Sequence, residues 1–130
     1  MSPIPLRHLL IGDEHDLPLL DALLRTLPAD AVGELVLELP DARRPLLPTP
    51  PGMTTRHLVL GRGRRRGDRA CAALQAWTEE WLLDAHLAAE AHAVFVGLVH
   101  NPKVAALCEG LAALHPTLHM HRPSHTQSVR

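Results

Sequence analysis

The stretch RHLLIGDEHDLPLLDALLRTLP (residues 7–28) contains the clearest indication of the fold of this chain. It predicts a short buried strand at Leu9–Ile11, a sharp turn at Gly12, and a helix that Asp16 caps and that runs to about Leu27. The leucines of this helix recur at three- and four-residue steps, which is the spacing of one buried face: Leu17, Leu20, Leu23, Leu24 and Leu27. A strand, a tight turn and an amphipathic helix in this order are typical of α/β proteins.

The turn itself carries three carboxylates, Asp13, Glu14 and Asp16. In an α/β protein the first N–H groups of such a helix are a ready binding site for a phosphate. Negative side chains compete with a phosphate for these donors and also repel it. Any functional interpretation of the chain therefore depends on what the acidic turn does.

The rest of the chain continues the alternation of strands and helices. Further strands are predicted at residues 33–40, 54–61, 92–100 and 117–121. The strand at 33–40 alternates apolar and polar residues, so one covered face is expected. Residues 68–91 contain neither Gly nor Pro and predict one long helix or two abutting helices. A further helix is predicted to begin at Asn101–Pro102 and to end at Pro116. The five prolines of residues 40–52 exclude a regular element there.

This order of elements predicts an α/β fold, a doubly wound, Rossmann-like, five-stranded parallel sheet with helices on both faces in a single domain. Ligands of such sheets bind beyond the carboxyl ends of the strands, near the switch in strand order. That rule points to the loops at residues 12–16, 61–67 and 97–102. Trp77 and Trp81, four residues apart on one helical face, are expected to pack in the core or in a subunit interface.

Composition excludes several classes of function. With a formal net charge of −1, the chain has no net attraction for nucleic acid or for a membrane surface. The longest apolar run, Ala93–Val99, is too short to cross a bilayer, and the N-terminus lacks the layout of a secretory signal. Cys71 and Cys108 are isolated, as in a reduced cytoplasmic protein. The four histidines within residues 115–125 have no acidic or cysteine partner nearby, so no metal site is expected.

Two short motifs carry a family resemblance. The chain has GDEHDLP at residues 12–18 and LPD at residues 39–41. In the C-terminal, NAD(P)H-binding half of the siderophore-interacting protein family, the first turn reads Gly-Asp-Glu-Thr-Ala-Leu-Pro and the second strand ends in a Val-Pro-Asp-like corner. The chain resembles this family through about residue 63, and less closely to residue 116.

The resemblance implies a ferredoxin-reductase-like domain that binds NADP(H) and takes part in the reduction of ferric siderophores. The cofactor-binding residues we expect are Gly12, Asp13, Glu14, His15, Arg62, Arg64 and His100, and the catalytic residues are unknown. Arg62 and Arg64 are expected to hold the 2′-phosphate of NADPH, with Arg43 and Arg44 as a weaker alternative anchor. The family's flavin-binding domain precedes this module, so we expect no FAD on this chain and a flavin domain that acts in trans.

Departures from the family favour an alternative. Asp16 replaces a small neutral residue, Leu98–His100 replaces an Ala-Gly-Glu-like corner, and residues 118–130 lack the family's aromatic C-terminal segment. The alternative is a non-catalytic interaction or oligomerisation module with a decayed cofactor site. Because both interpretations stand, the sequence does not decide whether the chain is an enzyme. The expected partner is a flavin-domain protein or a second copy of the chain. The domain is expected to span residues 1–121, with a tail at 122–130.

Overall fold

A computed structural model describes residues 6–82 and 89–123. Within them, parallel strands form one five-stranded sheet in the order β3-β2-β1-β4-β5. The strands are β1 (Arg7–Asp13), β2 (Val32–Leu39), β3 (Gly52–Val59), β4 (His92–Val96) and β5 (His119–His121). The helices are α1 (Leu17–Thr26), α2 (Asp68–Trp81) and α3 (Pro102–Leu114), and 3₁₀ turns lie at Glu14–Asp16 and Ala89–Ala91. The predicted doubly wound α/β fold is confirmed.

The sheet is covered by helices on both faces. The leucine stripe of α1 packs on one face, where Leu20 and Leu24 are buried against Leu35 and Leu37 of β2. Helices α2 and α3 pack on the opposite face against a second apolar cluster, which includes Leu9, Ile11, Val36, Leu74, Trp77, Val94, Val104, Cys108 and Leu111. Each apolar side chain removed from water in this way stabilises the fold by about 1.5–3 kcal/mol.

Strand β2 is buried on both faces, which corrects the expectation of one covered face. Leu35 and Leu37 pack on the α1 side, while Val36 packs in the cluster beneath α2. Glu38, also on the α2 side, is only 1% exposed. A glutamate in an alternating strand pattern normally indicates a solvent-facing position, so the sequence pattern alone predicted the wrong environment.

Strand β4 ends earlier than predicted, at Val96 rather than at residue 100. Gly97 N still donates to Ile11 O of β1 (2.8 Å), and the chain then turns at residues 98–101, where Asn101 N donates to Leu98 O (2.9 Å). Asn101 then caps α3 and Pro102 occupies its first turn, as predicted. The corner between β4 and α3 lies beside the end of β1.

Helix α2 carries both tryptophans into the core. Trp77 is 8% exposed and Trp81 packs against the same cluster. The ring of buried His92 lies edge-on to Trp77, with 5.4 Å between ring centroids. The helix ends at Trp81, and the expected continuation to residue 91 falls partly on 83–88, outside the described residues.

Residues 40–51 form a connector without helix or strand, as their prolines predict. Among the residues that the structure describes, no helix has the length and apolar character needed to cross a membrane. The boundary between a domain at 1–121 and a tail stays a prediction, and residues 124–130 lie outside the described part.

Candidate functional site

The acidic turn after β1 is folded around its own backbone. The Asp13 side chain accepts a hydrogen bond from His15 N (2.9 Å), and Asp16 Oδ2 accepts one from Asp13 N (3.0 Å). The same Asp16 oxygen accepts another from Leu98 N, in the loop after β4 (2.9 Å). Asp16 precedes α1, but its side chain makes no capping hydrogen bond to that helix, contrary to the sequence expectation. It joins the ends of β1 and β4 instead.

Arg66, from the loop before α2, reaches the same turn. Its Nη1 donates to Asp13 Oδ2 (3.1 Å) and to Glu14 Oε1 (2.6 Å), and its Nη2 donates to Glu14 Oε2 (3.1 Å). The hydrogen bonds from Arg66 lower the pKa of Glu14, and those to Glu14 raise the pKa of Arg66. Burial, together with the nearby charge of Asp16, raises the pKa of Asp13. The carboxylates thus hold an arginine across the turn.

A pocket of about 200 Å³ opens at the carboxyl ends of β1 and β4, where the strand order switches. Its lining comes from the acidic turn, the loop before α2 and the loop after β4: Asp13, His15, Asp16, Arg66, Leu98, Val99, His100, Asn101 and Pro102. Carboxylates, a guanidinium and two imidazoles stand beside aliphatic side chains. The lining therefore combines apolar surface with a few polar and charged groups, as is typical of small-molecule sites.

The structure brings five of the expected site residues together: Gly12, Asp13, Glu14, His15 and His100. Asp13, His15 and His100 line the pocket, and Glu14 pairs with Arg66 at its rim. Gly12 serves packing, because a Cβ there would come within 2.8 Å of a methyl group of α1. These placements explain how residues distant in sequence form one site.

Arg62 and Arg64 do not join this pocket. Both are exposed, and Arg64 lines a separate hollow between β3 and α2 together with Arg56 and Arg69. Their role in cofactor binding stays a prediction. The arginine of this run that reaches the switch point is Arg66, which the sequence analysis did not select.

The N-terminus of α2 is occupied by a carboxylate of the chain itself. Glu38 accepts hydrogen bonds from the backbone N–H groups of Gly67 (2.7 Å), Arg69 (3.0 Å) and Ala70 (2.9 Å). Three charge-assisted bonds compensate for the burial of this carboxylate in the core. The donors that open α2 are therefore not available to a bound anion.

The start of α3 is satisfied in the same way. The Asn101 side chain accepts from Val104 N (3.0 Å) and donates to Arg66 O (2.7 Å), so it also fastens the loop that carries Arg66. Asp13 and Asp16 form a capping box at the 3₁₀ turn that leads into α1, so main-chain donors are used at the starts of this turn, of α2 and of α3. A phosphate bound here would meet side chains before it met free N–H groups.

The loop after β4 is held in one shape from two sides. Leu98 has a φ of 52°, a left-handed conformation that is uncommon for a leucine. A Cβ on Gly97 would overlap the Asp16 carboxylate, so the close approach of Asp16 requires a glycine. From the other side, Arg122 donates to the carbonyl oxygens of Gly97 (2.7 Å), Val96 (3.1 Å) and Leu98 (3.2 Å). The wall of the pocket is therefore preorganised.

A second groove, of about 380 Å³, lies at the carboxyl end of β2, on the other side of the acidic turn. Its lining residues are Glu14, Leu17, Leu39, Pro40, Asp41, Arg43, Arg44 and Pro45. Arg43 pairs with Asp41 through Nη2 (3.0 Å), and Arg44 Nη1 contacts His57 Nδ1 (2.9 Å). The groove contains the arginines that the sequence analysis gave as the alternative phosphate anchor.

Three important residues were missed from the sequence. Arg66 stands among three other arginines of the same loop, Glu38 has the pattern of a surface residue, and Arg122 falls in the expected tail. No local sequence signal distinguishes these three residues from their neighbours, because their partners lie 24 or more positions away along the chain. As for metals, the described residues contain no group of three or more His, Cys, Asp or Glu suited to an ion, and His125 lies outside them.

The pocket and the groove at this edge fit the two ends of a dinucleotide. The residues between them depart from the usual pattern, in which a helix N-terminus binds the diphosphate. The switch-point pocket can receive a flat ring, and the groove at β2 can receive a charged or ribose-bearing end. Arg66 lies between them, on the acidic turn. Because Arg66 is paired with both Asp13 and Glu14, a diphosphate that crossed here would have to compete with these carboxylates for the guanidinium.

These features define a doubly wound α/β domain with a ligand pocket at its topological switch point. The family model described as Siderophore-interacting protein matches residues 6–98. The chain therefore belongs to the siderophore-interacting protein family, as its GDEHDLP and LPD motifs predicted. No curated protein matches the chain significantly.

Solved structures of two siderophore-related proteins share the fold. The siderophore-interacting protein SipS from Aeromonas hydrophila is 24% identical, with a TM-score of 0.52 over 74% of this chain and 39% of its own. A siderophore utilization protein from T. fusca is 19% identical, with a TM-score of 0.62 over 94% of this chain and 45% of its own. This chain thus spans less than half the length of either protein.

Proposed function

We propose that this chain is the NAD(P)H-binding component of a ferric-siderophore reductase and acts with a flavin-binding domain in trans. The observation that carries this proposal is the pocket at the β1/β4 switch point of a siderophore-interacting protein family domain. Doubly wound sheets bind their nucleotides at such a crevice. A bound NADPH would supply a hydride, and the chain would bind and orient it.

The side chains suggest how the ligand would be oriented. His15 and His100 line the pocket beside Leu98 and Val99, where a nicotinamide ring could lie against aliphatic groups while imidazole nitrogens meet its amide. The fixed corner after β4 would keep this geometry without reorganisation on binding. Such preorganisation lowers the entropic cost of association.

Thermal unfolding with added NADPH or NADH tests the proposal. At a ligand concentration ten times the Kd, binding stabilises the fold by about 1.4 kcal/mol. For a domain of this size that raises Tm by about 4–6 °C. The double variant His15→Ala/His100→Ala should lose most of this shift, whereas the matched change His119→Ala/His121→Ala on exposed positions of β5 should keep it. No shift with millimolar amounts of either nucleotide would refute the proposal.

A second candidate is a non-catalytic interaction module. The observation in its favour is that the chain's own Glu38, Asn101 and acidic turn satisfy the helix starts where a phosphate would bind. This candidate predicts no response to nucleotides, together with stable self-association or capture of a defined partner. Light scattering at several protein concentrations, with and without NADPH, separates the two functions.

A further inference from the structure

The peptide group between Gly97 and Leu98, at the corner after β4, is held at both of its poles by charged side chains. Its N–H, on Leu98, donates to Asp16 Oδ2 (2.9 Å). Its carbonyl oxygen, on Gly97, accepts from Nη2 of Arg122 (2.7 Å), the residue after β5 (His119–His121) but one. An anion from the acidic turn and a cation from the far side of the sheet therefore meet at one peptide group.

These two charges select one orientation of the peptide group. The N–H of a peptide carries partial positive charge and the oxygen carries partial negative charge, so in the observed orientation each pole faces a group of opposite sign. In the reversed orientation the oxygen would face the Asp16 carboxylate, which can only accept, and the N–H would face the Arg122 guanidinium, which can only donate. Both contacts would then be repulsive.

The backbone of Leu98 depends on this selection. Its φ is 52°, in the left-handed region that a residue with a Cβ disfavours. Reversal of the Gly97–Leu98 peptide group would return Leu98 to a negative φ, which a leucine prefers. The local preference of the chain thus opposes the observed corner, and the contacts with Asp16 and Arg122 hold it in place.

The residues that follow this peptide group form one wall of the switch-point pocket, where Leu98, Val99 and His100 line it. Arg122 is not among the lining residues. Its other hydrogen bonds go to carbonyl oxygens of the same corner, those of Val96 (3.1 Å) and Leu98 (3.2 Å). Any influence of Arg122 on a ligand therefore acts through the backbone of the corner.

Building on the proposed function, we propose that Arg122 is a positioning residue of the switch-point pocket. Together with Asp16 it fixes the Gly97–Leu98 peptide group, and through this group it fixes the wall that meets the nicotinamide end of NADPH or NADH. The chain just after β5 is then part of the binding machinery, although the sequence pattern assigned Arg122 to a tail.

Amide hydrogen exchange of the ligand-free chain, followed by NMR, tests the role of Arg122 directly. Arg122→Ala frees the oxygen of the peptide group, which can then turn its N–H away from the carboxylate. The protection of the Leu98 amide should fall by about 10- to 100-fold, the effect of losing a charge-assisted contact. The Val36 amide, in the core of the sheet, reports global unfolding and should change less. Arg25→Ala, which removes an exposed arginine of α1, is the matched control and should leave Leu98 unchanged.

Arg122→Lys separates positioning from a merely structural role. It keeps the positive charge, but it replaces the planar fork that reaches three carbonyl oxygens with a single ammonium group. It should retain part of the protection at Leu98, and it provides a measurement if Arg122→Ala does not fold. Unchanged protection at Leu98 in the variants that fold, or a fall no larger than that at Val36, would overturn the proposal.

Titration calorimetry with NADPH and NADH connects the peptide group to the pocket. Only chains with the observed peptide orientation present the formed wall, so Arg122→Ala should weaken both nucleotides by a similar factor of about 10. Arg122→Lys should weaken them less, and Arg25→Ala should keep the wild-type affinities. If Arg122→Ala lowers the protection of Leu98 but leaves both affinities unchanged, the positioning role is wrong while the proposed function stands. A wild-type chain that binds neither nucleotide would overturn both proposals.

Discussion

Replacing Glu38 with alanine tests the interpretation that a buried carboxylate holds α2 on the sheet. The side chain is 1% exposed and accepts three backbone hydrogen bonds from the first turn of α2. Glu38→Ala leaves these three N–H groups without their partner and opens a void in the core. Glu34, on the same strand and only loosely paired with Arg56 at 3.8 Å, provides the matched control.

The magnitude follows from the three bonds. Each unsatisfied buried donor costs about 1–3 kcal/mol, and Gly67 N and Ala70 N form the buried pair of these contacts. The Arg69 bond is partly buried and contributes less. Glu38→Ala also removes the free-energy cost of burying the carboxylate, and this gain offsets part of the loss from the three unsatisfied donors. We therefore expect Glu38→Ala to lower the free energy of unfolding by about 3–5 kcal/mol, the range found when a buried charged network is broken.

Urea unfolding, monitored by the fluorescence of the two tryptophans of α2, measures this loss. With an m value of about 1.5–2 kcal/mol/M, the unfolding midpoint should fall by about 2 M, against less than about 0.5 M for Glu34→Ala. Glu38→Gln keeps one acceptor oxygen and should fall between the two, which provides a measurement if Glu38→Ala does not fold. A loss below about 1 kcal/mol for Glu38→Ala, or a loss equal to that of Glu34→Ala, would refute the reasoning.

Three further predictions concern the site and its surroundings. Asp16→Ala should cost about 2–4 kcal/mol by urea unfolding, because Asp13 N and Leu98 N lose their acceptor, whereas Asp16→Asn keeps an oxygen for both and should cost about 1 kcal/mol or less. Gly97→Ala should lower the stability of the wild type, and it should lower the stability of the Asp16→Ala variant by less, because the added Cβ no longer meets the carboxylate. A double-mutant cycle measures this coupling, and additive effects of the two substitutions would contradict it. Burial lowers the pKa of His92 in the folded chain. Below about pH 6.5 the unfolded chain therefore binds more protons than the folded chain. The free energy of unfolding should fall as the pH drops from about 6.5 through the folded-state pKa. His92→Gln should have a shallower slope between pH 7.5 and 5.5, and an unchanged slope would contradict that assignment.

The contacts of the acidic turn explain why carboxylates stand at a strand end where other α/β proteins bind phosphate. Asp13 and Asp16 satisfy main-chain donors of the turn, while Asp13 and Glu14 hold Arg66. These contacts make the carboxyl edge of the sheet rigid, and they leave fewer main-chain N–H groups to bind a phosphate.

The class of fold and the family were predicted correctly from local sequence patterns. The leucine spacing of α1, the prolines of the connector and the Asn101–Pro102 helix start are local patterns, and each predicted its element correctly. The GDEHDLP motif predicted the family that the comparison supports. Local patterns succeed here because helix periodicity, caps and turns depend on neighbours within a few residues.

Which side chains meet at the carboxyl edge of the sheet could be seen only in the folded chain. Arg66 reaches the turn and its neighbour Arg64 does not, Glu38 faces α2 rather than solvent, and Asp16 bonds to Leu98 rather than capping α1. Each of these contacts joins residues that are 29 or more positions apart, so no spacing rule contains them. They arise because parallel strands bring their carboxyl ends to one edge, where the path of each loop selects the side chains that meet.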